Sequence, residues 1–257
     1  MLFTFSCQLL SESVTMNLRN LLLRLLIALP FGMSAHAQVP DSVRQDWDNT
    51  FSIVARDPAT GALGGAVSTA RLSVGNRVLQ VEYKVGAVAS QANTNPLLAR
   101  DALERLRQGG NATEALDVAL RNDERREERQ LSVIDAKGIQ AAFTGSKPDD
   151  FKGHLMGKDC VVAGNILVGR ETLEAMRTTF EVTVGTLADR LMAAMEAGQK
   201  AGGDRRGKIS AAIVVLNEAP SANSYARNID LRIDSSTDPV SELRGLYEAY
   251  KTAFRIK

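Results

Sequence analysis

Alternation of apolar and polar residues begins abruptly at Thr50 and recurs in blocks along the rest of the chain. Such alternation over roughly four to eight residues is typical of β-strands, because successive side chains point to opposite faces. Turn sequences such as Asp57-Pro-Ala-Thr-Gly61 separate neighbouring blocks and predict hairpins. The predicted strands cover residues 50–57, 63–70, 78–92, 131–134, 139–144, 160–168, 210–216 and 229–233.

Apolar residues at helical spacing predict helices between and after these strands. Pro96 opens the first helix, and Asn111 with Glu114 forms a capping-box-like start for the second. Another helix pair follows residue 168, and Asp238 with Pro239 begins a closing helix. Paired helices between blocks of hairpin-connected strands favour antiparallel sheets covered by helices over a doubly wound parallel sheet. We therefore predict one α+β domain over residues 50–257.

The first 37 residues predict a cleavable signal peptide. An apolar run from Leu21 to Phe31 is followed by Ala35-His-Ala37, which has the A-x-A form of a cleavage site. The run is shorter than the roughly 20 residues that span a bilayer, so we expect no stable membrane anchor; a retained anchor is the alternative. We expect translation to start at Met16 and not at Met1. Residues 38–49 then form a polar leader, and the mature protein is expected to be periplasmic or secreted.

Composition and charge narrow the function classes. The chain has 257 residues, of which 44% are hydrophobic, enough for a substantial core. Lys and Arg total 31 and Asp and Glu total 30, which gives a formal net charge of +1. This balance gives no electrostatic basis for binding nucleic acid or an anionic membrane. Two His and two Cys residues, without HExxH or paired CxxC motifs, argue against zinc, and we expect no metal and no other cofactor.

The mature chain keeps few of the residues that the common nucleophilic mechanisms use. Signal cleavage would remove His36 and Cys7, which leaves His154 and Cys160 as the sole residues of their types. Cys160 lies in an apolar run and is expected in the core. His154 is expected in a loop, and no Gly-x-Ser-x-Gly motif accompanies it. A hydrolase here needs another base, and an α-amino group with a pKa of about 8 is one candidate.

The glycine-rich segment Gly202–Ser210 carries three cations next to Asp204. It does not fit a phosphate-binding P-loop, because Ile209 follows Gly-Lys where a hydroxyl is required and because the segment runs from a helix into a strand. Arg205 or Arg206 could hold a substrate carboxylate, since a guanidinium suits carboxylate recognition. The alternative is a helix end followed by a solvated charge cluster that pairs with itself.

Seven motifs in order give residues 50–254 a resemblance to a known family. They are Thr50-Phe-Ser-Ile-Val-Ala-Arg-Asp-Pro with Thr60-Gly61, Val85-Gly-Ala-Val-Ala-Ser-Gln-Ala with Thr94-Asn95-Pro96, Arg129-Gln130 with Val133-Ile-Asp-Ala, Thr144-Gly145, Gly164-Asn165-Ile-Leu, Glu196-Ala-Gly-Gln-Lys-Ala-Gly-Gly-Asp-Arg-Arg-Gly-Lys, and Asp230-Leu-Arg-Ile-Asp with Asp238-Pro-Val-Ser-Glu-Leu. On these motifs the chain is similar to the bacterial family called domain of unknown function 1028. The resemblance places it among the N-terminal-nucleophile hydrolases and implies their fold, a four-layer αββα sandwich of two largely antiparallel sheets.

The resemblance also implies a role for Thr50. In that superfamily the first residue of the first strand is the nucleophile and its own α-amine is the base, and Thr50 occupies this position. Twelve residues, 38–49, still precede Thr50 after signal cleavage. Either the Asn49–Thr50 bond is cut later, or the amine stays blocked and Thr50 is a β-branched residue that opens an edge strand.

Further polar residues are candidates for contact with a substrate. Ser68, Gln91, Asn95 and Asn165 lie in predicted strand ends or loops. Each is equally well explained by capping of the backbone at a turn, a usual role of Asn and Ser. Together with the two arginines of the glycine-rich segment, the predicted substrate-binding or oxyanion-binding residues are Ser68, Gln91, Asn95, Asn165, Arg205 and Arg206.

These observations support a leading hypothesis and two alternatives. The leading hypothesis is an exported amide hydrolase of the N-terminal-nucleophile type that acts on a small amide or amidated peptide, with Thr50 as nucleophile and base. The first alternative is a non-catalytic periplasmic ligand-binding protein on the same fold, favoured by the blocked amine. The second is an envelope-associated structural module. The expected partner is a small-molecule amide or peptide, and a homo-oligomer is compatible with the sequence.

Overall fold

Ten strands and five α-helices form in a computed structural model that describes residues 50–219, 221, 224 and 228–255. The strands are β1 (Thr50–Arg56), β2 (Leu63–Thr69), β3 (Leu79–Glu82), β4 (Gly86–Ala92), β5 (Arg129–Asp135), β6 (Gln140–Thr144), β7 (Gly153–Gly157), β8 (Cys160–Gly164), β9 (Ser210–Leu216) and β10 (Ile229–Ile233). The helices are α1 (Pro96–Arg107), α2 (Ala112–Arg121), α3 (Glu171–Val182), α4 (Leu187–Lys200) and α5 (Pro239–Phe254).

The strands pair into two antiparallel sheets. The larger has the order β10-β9-β2-β1-β8-β7 and the smaller has the order β3-β4-β5-β6. Strand β1 lies inside the larger sheet, with Thr50 opposite Thr69 of β2 and Phe51 opposite Gly164 of β8. Thr50 therefore opens an inner strand, and not the edge strand of the alternative interpretation, because β2 and β8 pair on either side of β1.

Three apolar clusters define four layers. One cluster joins the outer face of the larger sheet to α3, α4 and α5, a second joins the outer face of the smaller sheet to α1 and α2, and a third lies between the sheets. Representative pairs are Phe51 with Leu191 in the first cluster, Leu131 with Leu103 in the second and Val54 with Ile134 in the third. The predicted αββα sandwich of two antiparallel sheets is thus confirmed.

The layer between the sheets changes from apolar to polar along its length. Because side chains alternate along a strand, Thr50 and Ser52 point to the same face of β1 as Val54, a member of the inter-sheet cluster. By the same alternation Gln91 of β4 shares a face with Ala89, and Gln130 of β5 shares a face with Ile134. The first residues of β1 and β5 and the last of β4 therefore form a polar end of this layer.

The segment over residues 78–92 differs from the single predicted strand. It forms two strands because the chain turns at residues 83–85, where Lys84 adopts a left-handed φ of 60°. The N–H of Val85 donates to the carbonyl oxygen of Glu82 at 3.1 Å and closes the turn. Hydrophobic alternation continues through this turn, so the pattern did not reveal it.

The region around Cys160 also differs from the sequence prediction. His154 lies in β7 and not in a loop, because a tight turn at Lys158 and Asp159 pairs residues 153–157 with β8. Strand β8 ends at Gly164, four residues before the predicted end at residue 168. The glycines that bound β7 resemble loop residues and hid this edge strand.

The predictions for the signal peptide (residues 1–37), the Met16 start and the leader (residues 38–49) lie outside the described residues. Within the part of the chain that the structure describes, no helix combines the length and the apolar character needed to cross a membrane.

We expect Gly64→Ala to destabilise the fold by about 1–3 kcal/mol, the usual effect of overpacking a core. A Cβ at Gly64 would lie 2.7 Å from the carbonyl oxygen of Val214 and 2.9 Å from Cγ2 of Val215. Gly245→Ala is the matched control, because a Cβ on this exposed residue of α5 meets no described atom within 4 Å. The control should gain about 0.5–1 kcal/mol from helix propensity. Thermal denaturation measures both, and a melting temperature unchanged by Gly64→Ala contradicts the packing.

Candidate active site

The polar end of the inter-sheet layer brings side chains from both sheets together. Across the smaller sheet, Gln91, Gln130 and Thr144 stand opposite one another on β4, β5 and β6. Facing them, Thr50 begins β1 and Asn165 follows the last residue of β8. Four of these residues are at most 1% exposed, and Thr144 is half-buried. This cluster of uncharged polar residues is the candidate active site.

The main chain of Thr50 is held in place from two directions. Its carbonyl oxygen accepts a hydrogen bond from the backbone N–H of Asn165 at 3.1 Å. The side-chain amide of Gln91 approaches the same oxygen from the other sheet, with Nε2 at 3.5 Å. Thr50 itself is fully buried. The residue that the resemblance implies to be the nucleophile therefore has a fixed backbone within the cluster.

Gln130 is the centre of the cluster. Its Oε1 accepts hydrogen bonds from Nε2 of Gln91 at 2.7 Å and from Nδ2 of Asn165 at 3.0 Å. Its Nε2 lies 2.8 Å from the carbonyl oxygen of Gly164 and 2.9 Å from that of Gly153. The hydroxyl of Thr144 is a third neighbour of Nε2 at 3.0 Å, so two N–H groups are shared among three oxygens.

This bonding pattern fixes the orientation of each side-chain amide. The carbonyl oxygens of Gly153 and Gly164 can only accept, so the nitrogen of Gln130 must face them and its oxygen must face the opposite way. That oxygen in turn requires donors, so Gln91 and Asn165 must turn their NH2 groups toward it. Two backbone carbonyls thereby determine the direction of three side chains.

Thr144 links the cluster to His154. The hydroxyl of Thr144 lies 2.9 Å from Nδ1 of the imidazole. Partial burial of His154 lowers the pKa of its ring below the ordinary value, so the ring is neutral at neutral pH. His154 therefore adds no charge to the cluster.

A buried ion pair shapes the turn that follows Gln91. The Arg129 guanidinium donates to both carboxylate oxygens of Asp123, at 2.7 and 3.2 Å, and also to the carbonyl oxygen of Asn93 at 2.6 Å. The hydrogen bond from Arg129 lowers the pKa of Asp123 below its ordinary value, against a smaller opposing effect of burial. The pair joins the loop before β5 to Asn93, which follows β4, the strand that contains Gln91.

The structure separates the predicted polar contacts. Gln91 and Asn165 lie in the cluster with Thr50. Asn95 instead caps α1, since its side chain accepts from the N–H of Leu97 at 3.1 Å, and no described hydrogen bond joins that side chain to the cluster. Ser68 is buried but shares a face of β2 with Ala66, in the cluster toward the helices, so it points away from the layer that contains Thr50.

The glycine-rich segment folds around Asp204, which is 4% exposed. Its carboxylate accepts from the N–H of Ala70 at 3.1 Å, from the N–H of Arg206 at 2.9 Å and from the Arg206 guanidinium at 2.9 Å. Arg205 is exposed, and its backbone N–H donates to Ile166. Arg206 is thus paired with Asp204 of its own segment, and its contact with a substrate carboxylate stays a prediction.

Two further features bear on reactivity: the ionisation of Cys160 and the clustering of side chains that could bind a metal ion. Burial raises the pKa of the Cys160 thiol to about 12, so this core residue is not a thiolate at neutral pH. No group of three or more His, Cys, Asp or Glu side chains suited to a metal ion occurs among the residues that the structure describes.

The comparisons with known proteins agree with the motifs. Residues 50–243 match a family described as "Family of unknown function (DUF1028)". The chain belongs to the DUF1028 family. A crystal structure of a DUF1028 protein from Silicibacter pomeroyi is similar to it, with 36% sequence identity, a TM-score of 0.72, and coverage of 79% of this chain and 86% of that one.

A second solved structure, Anbu (ancestral beta-subunit) from Yersinia bercovieri, aligns at 11% identity and a TM-score of 0.36, over 80% of this chain and 97% of the other. At this TM-score the similarity indicates nothing about the function of the DUF1028 protein. No protein of curated function matches the chain.

Sequence reasoning missed three residues of this DUF1028 site: Arg129, Gln130 and Thr144. The motifs of the resemblance contain all three residues, but the motifs alone imply no role for them. A signal was present at Gln130, a glutamine in the same strand phase as Ile134 and therefore directed into the layer between the sheets. A polar residue at a buried strand position requires partners, which marks it as part of a network.

We expect Asp123→Asn to lower the free energy of unfolding at about pH 7 and to lose this effect below about pH 4. The pKa of Asp123 is lower in the folded state than its ordinary value of 3.8, so the carboxylate stabilises the fold above that value. This contribution disappears as the pH falls through the lowered folded-state pKa. Denaturant titrations across the acidic range measure the difference between the variant and the parent.

Asp117→Asn, on the exposed face of α2, is the matched control for Asp123→Asn and should change stability little at any pH. A difference between Asp123→Asn and the parent that stays constant from neutral to acidic pH contradicts the role given to the ion pair.

Proposed function

We propose that this DUF1028 protein is an exported amide hydrolase of the N-terminal-nucleophile type that acts on a small amide or amidated peptide. The observation that carries the proposal is the position of Thr50. It opens an inner strand, it is fully buried at the polar end of the inter-sheet layer, and side-chain or backbone amides of Gln91 and Asn165 approach its carbonyl oxygen. The resemblance to the DUF1028 family, which implies a place among the N-terminal-nucleophile hydrolases, supports the same assignment.

The proposed reaction needs only Thr50 and a free α-amine. The amine takes the proton of Oγ, Oγ forms a bond to the amide carbonyl carbon, and the C–N bond breaks while the proton passes to the leaving nitrogen. Water then hydrolyses the resulting ester, with the amine again as base. The hydrogen bonds from Gln91 and Asn165 to the carbonyl oxygen of Thr50 hold the nucleophilic residue in position for this attack.

The uncharged surroundings suit this base. Gln91, Gln130 and Asn165 are all neutral, and burial without a counter-charge lowers the pKa of an amine. An amine at Thr50 would therefore stay unprotonated near neutral pH, which a base requires.

The proposal requires cleavage between Asn49 and Thr50. An acylated nitrogen has no basic lone pair, so a chain with this bond intact cannot use the mechanism. Export through the predicted signal peptide would place the chain where a second processing step, autocatalytic or by another protease, could occur.

A non-catalytic ligand-binding protein is the second candidate function. It is favoured by the encoded residues before Thr50, which leave the amine blocked unless processing occurs. Under this alternative the amide cluster recognises a ligand and breaks no bond.

A chain engineered to begin at Thr50 after removal of the initiator methionine tests the proposal. The described members of all three apolar clusters lie at or after Phe51, so this chain retains every one of them. We expect it to hydrolyse members of an amide panel, whereas a Gln38-started chain with an intact Asn49–Thr50 bond should not. Thr50→Ser should retain activity, and Thr50→Ala should lose essentially all of it, because the hydroxyl oxygen is the nucleophile.

Thr172→Ala is the matched control for Thr50→Ala, since Thr172 is also a fully buried threonine but lies in α3, in the helix layer. It should keep the parent rate. Full activity of a Gln38-started chain whose intact mass shows no cleavage would exclude the mechanism. Inactivity of every form would favour the ligand-binding alternative.

A further inference from the structure

The side-chain oxygen of Gln91 is a buried acceptor that no described residue satisfies. Gln91 is 1% exposed, and its Oε1 has no hydrogen-bond partner among the residues that the structure describes. Most buried polar atoms in proteins are hydrogen-bonded, and an unsatisfied one costs about 1–3 kcal/mol. The position of this acceptor next to Thr50 suggests that its donor comes from a ligand.

We propose that Gln91 determines specificity by accepting a hydrogen bond from an N–H group of a neutral carboxamide bound beside Thr50. The inference rests on the proposed function, because it names the substrate class of the same site. It concerns recognition of the ligand and not the breaking of its C–N bond.

The orientation of Gln91 is forced by its neighbours. Its nitrogen must donate to Oε1 of Gln130, which lies 2.7 Å away and already faces away from two backbone carbonyl oxygens. Rotating the amide of Gln91 would place two carbonyl oxygens in contact. The oxygen of Gln91 therefore points away from Gln130, and no described residue donates a hydrogen bond to it there.

The position of this oxygen is close to Thr50. Nε2 of Gln91 lies 3.5 Å from the carbonyl oxygen of Thr50. The two heteroatoms of an amide are about 2.3 Å apart, so Oε1 lies within about 6 Å of that carbonyl oxygen.

The charge of the cluster selects the chemical class of the ligand. Gln130, Asn165 and Thr144 are uncharged, so an ammonium group seated among them would be desolvated without a counter-ion. A carboxylate would face the oxygen of Gln91 and repel it. A neutral N–H donor satisfies that oxygen at no such cost.

Ser52 supplies an independent argument for a carboxamide. It is fully buried, it points to the same inter-sheet face of β1 as Thr50, and its Oγ also lacks a partner among the described residues. A hydroxyl can donate to a carbonyl oxygen. One unpartnered acceptor on β4 and one unpartnered donor on β1 together complement the N–H and C=O groups of a carboxamide.

The test measures binding and not turnover, so it stands apart from the test of hydrolysis. The proteins are the full chain and the chain that begins at residue 50, each with Thr50→Ala to prevent any reaction. The probes are N-methylacetamide and methyl acetate, which have nearly the same shape and differ in an N–H or an oxygen next to the carbonyl. Ligand-observed NMR titrations give the dissociation constants.

We expect the amide to bind about threefold to tenfold more tightly than the ester in the chain that begins at residue 50, the effect of one hydrogen bond. Gln91→Met should bring this ratio close to one. Gln140→Met is the matched control and should keep the ratio. Gln140 also has an unpartnered side-chain oxygen among the described residues, but it lies at the other end of the smaller sheet.

Ser52→Ala keeps the inference testable if Gln91→Met does not fold. It should weaken both probes to a similar extent and leave their ratio unchanged, because both carry a carbonyl oxygen. A ratio near one in both parent chains, or a ratio that survives Gln91→Met, overturns the inference. A Gln91-dependent ratio in a protein that hydrolyses no amide supports the inference and refutes the proposed hydrolysis.

Discussion

Two carbonyl oxygens, that of half-buried Gly153 and that of buried Gly164, accept hydrogen bonds where the two sheets face each other. Both lie in the larger sheet, and their donor, Gln130, reaches them from the smaller one. Each would cost about 1–3 kcal/mol if left unsatisfied. This requirement fixes the amide of Gln130, which fixes those of Gln91 and Asn165, and these two residues hold the carbonyl oxygen of Thr50. The candidate site is therefore also a structural joint between the sheets.

A polar joint of this kind is tolerated because the rest of the sandwich is apolar. The inter-sheet layer is filled with residues such as Val54, Leu63 and Ile134 away from Thr50, and both outer faces are covered by helices. The side-chain amides of Gln91 and Gln130 lie near the strand ends, where hydrogen bonds cross from one sheet to the other. The Arg129–Asp123 pair strengthens the same end from outside, since it holds the carbonyl oxygen of Asn93 just beyond β4.

Sequence periodicity predicts the layers of this fold better than it predicts the site. An apolar run identifies β9 to the residue and alternation identifies β10. Asn111 caps α2 through the N–H groups of Thr113 and Glu114, as its motif indicates. Asn95 and Asn165 look alike in sequence, yet one caps a helix and the other enters the amide cluster. That distinction depends on which strand of the opposite sheet lies nearby, and no local pattern records it.

The chemistry of Thr50 depends on the same absence of charge that makes the cluster a good joint. Amides can satisfy one another at any pH, so the side chains of Gln91 and Gln130 and the residue Asn165 support the carbonyl oxygen of Thr50 without any change of their own charge. An amine released there would gain no counter-charge from Gln91, Gln130 or Asn165, which favours a free lone pair for the hydroxyl. A neutral carboxamide is the ligand that enters such surroundings with the least loss of solvation, because its own N–H and C=O groups find amide and hydroxyl partners. Structural support, basicity and recognition thus follow from one property, a buried hydrogen-bond network without charge.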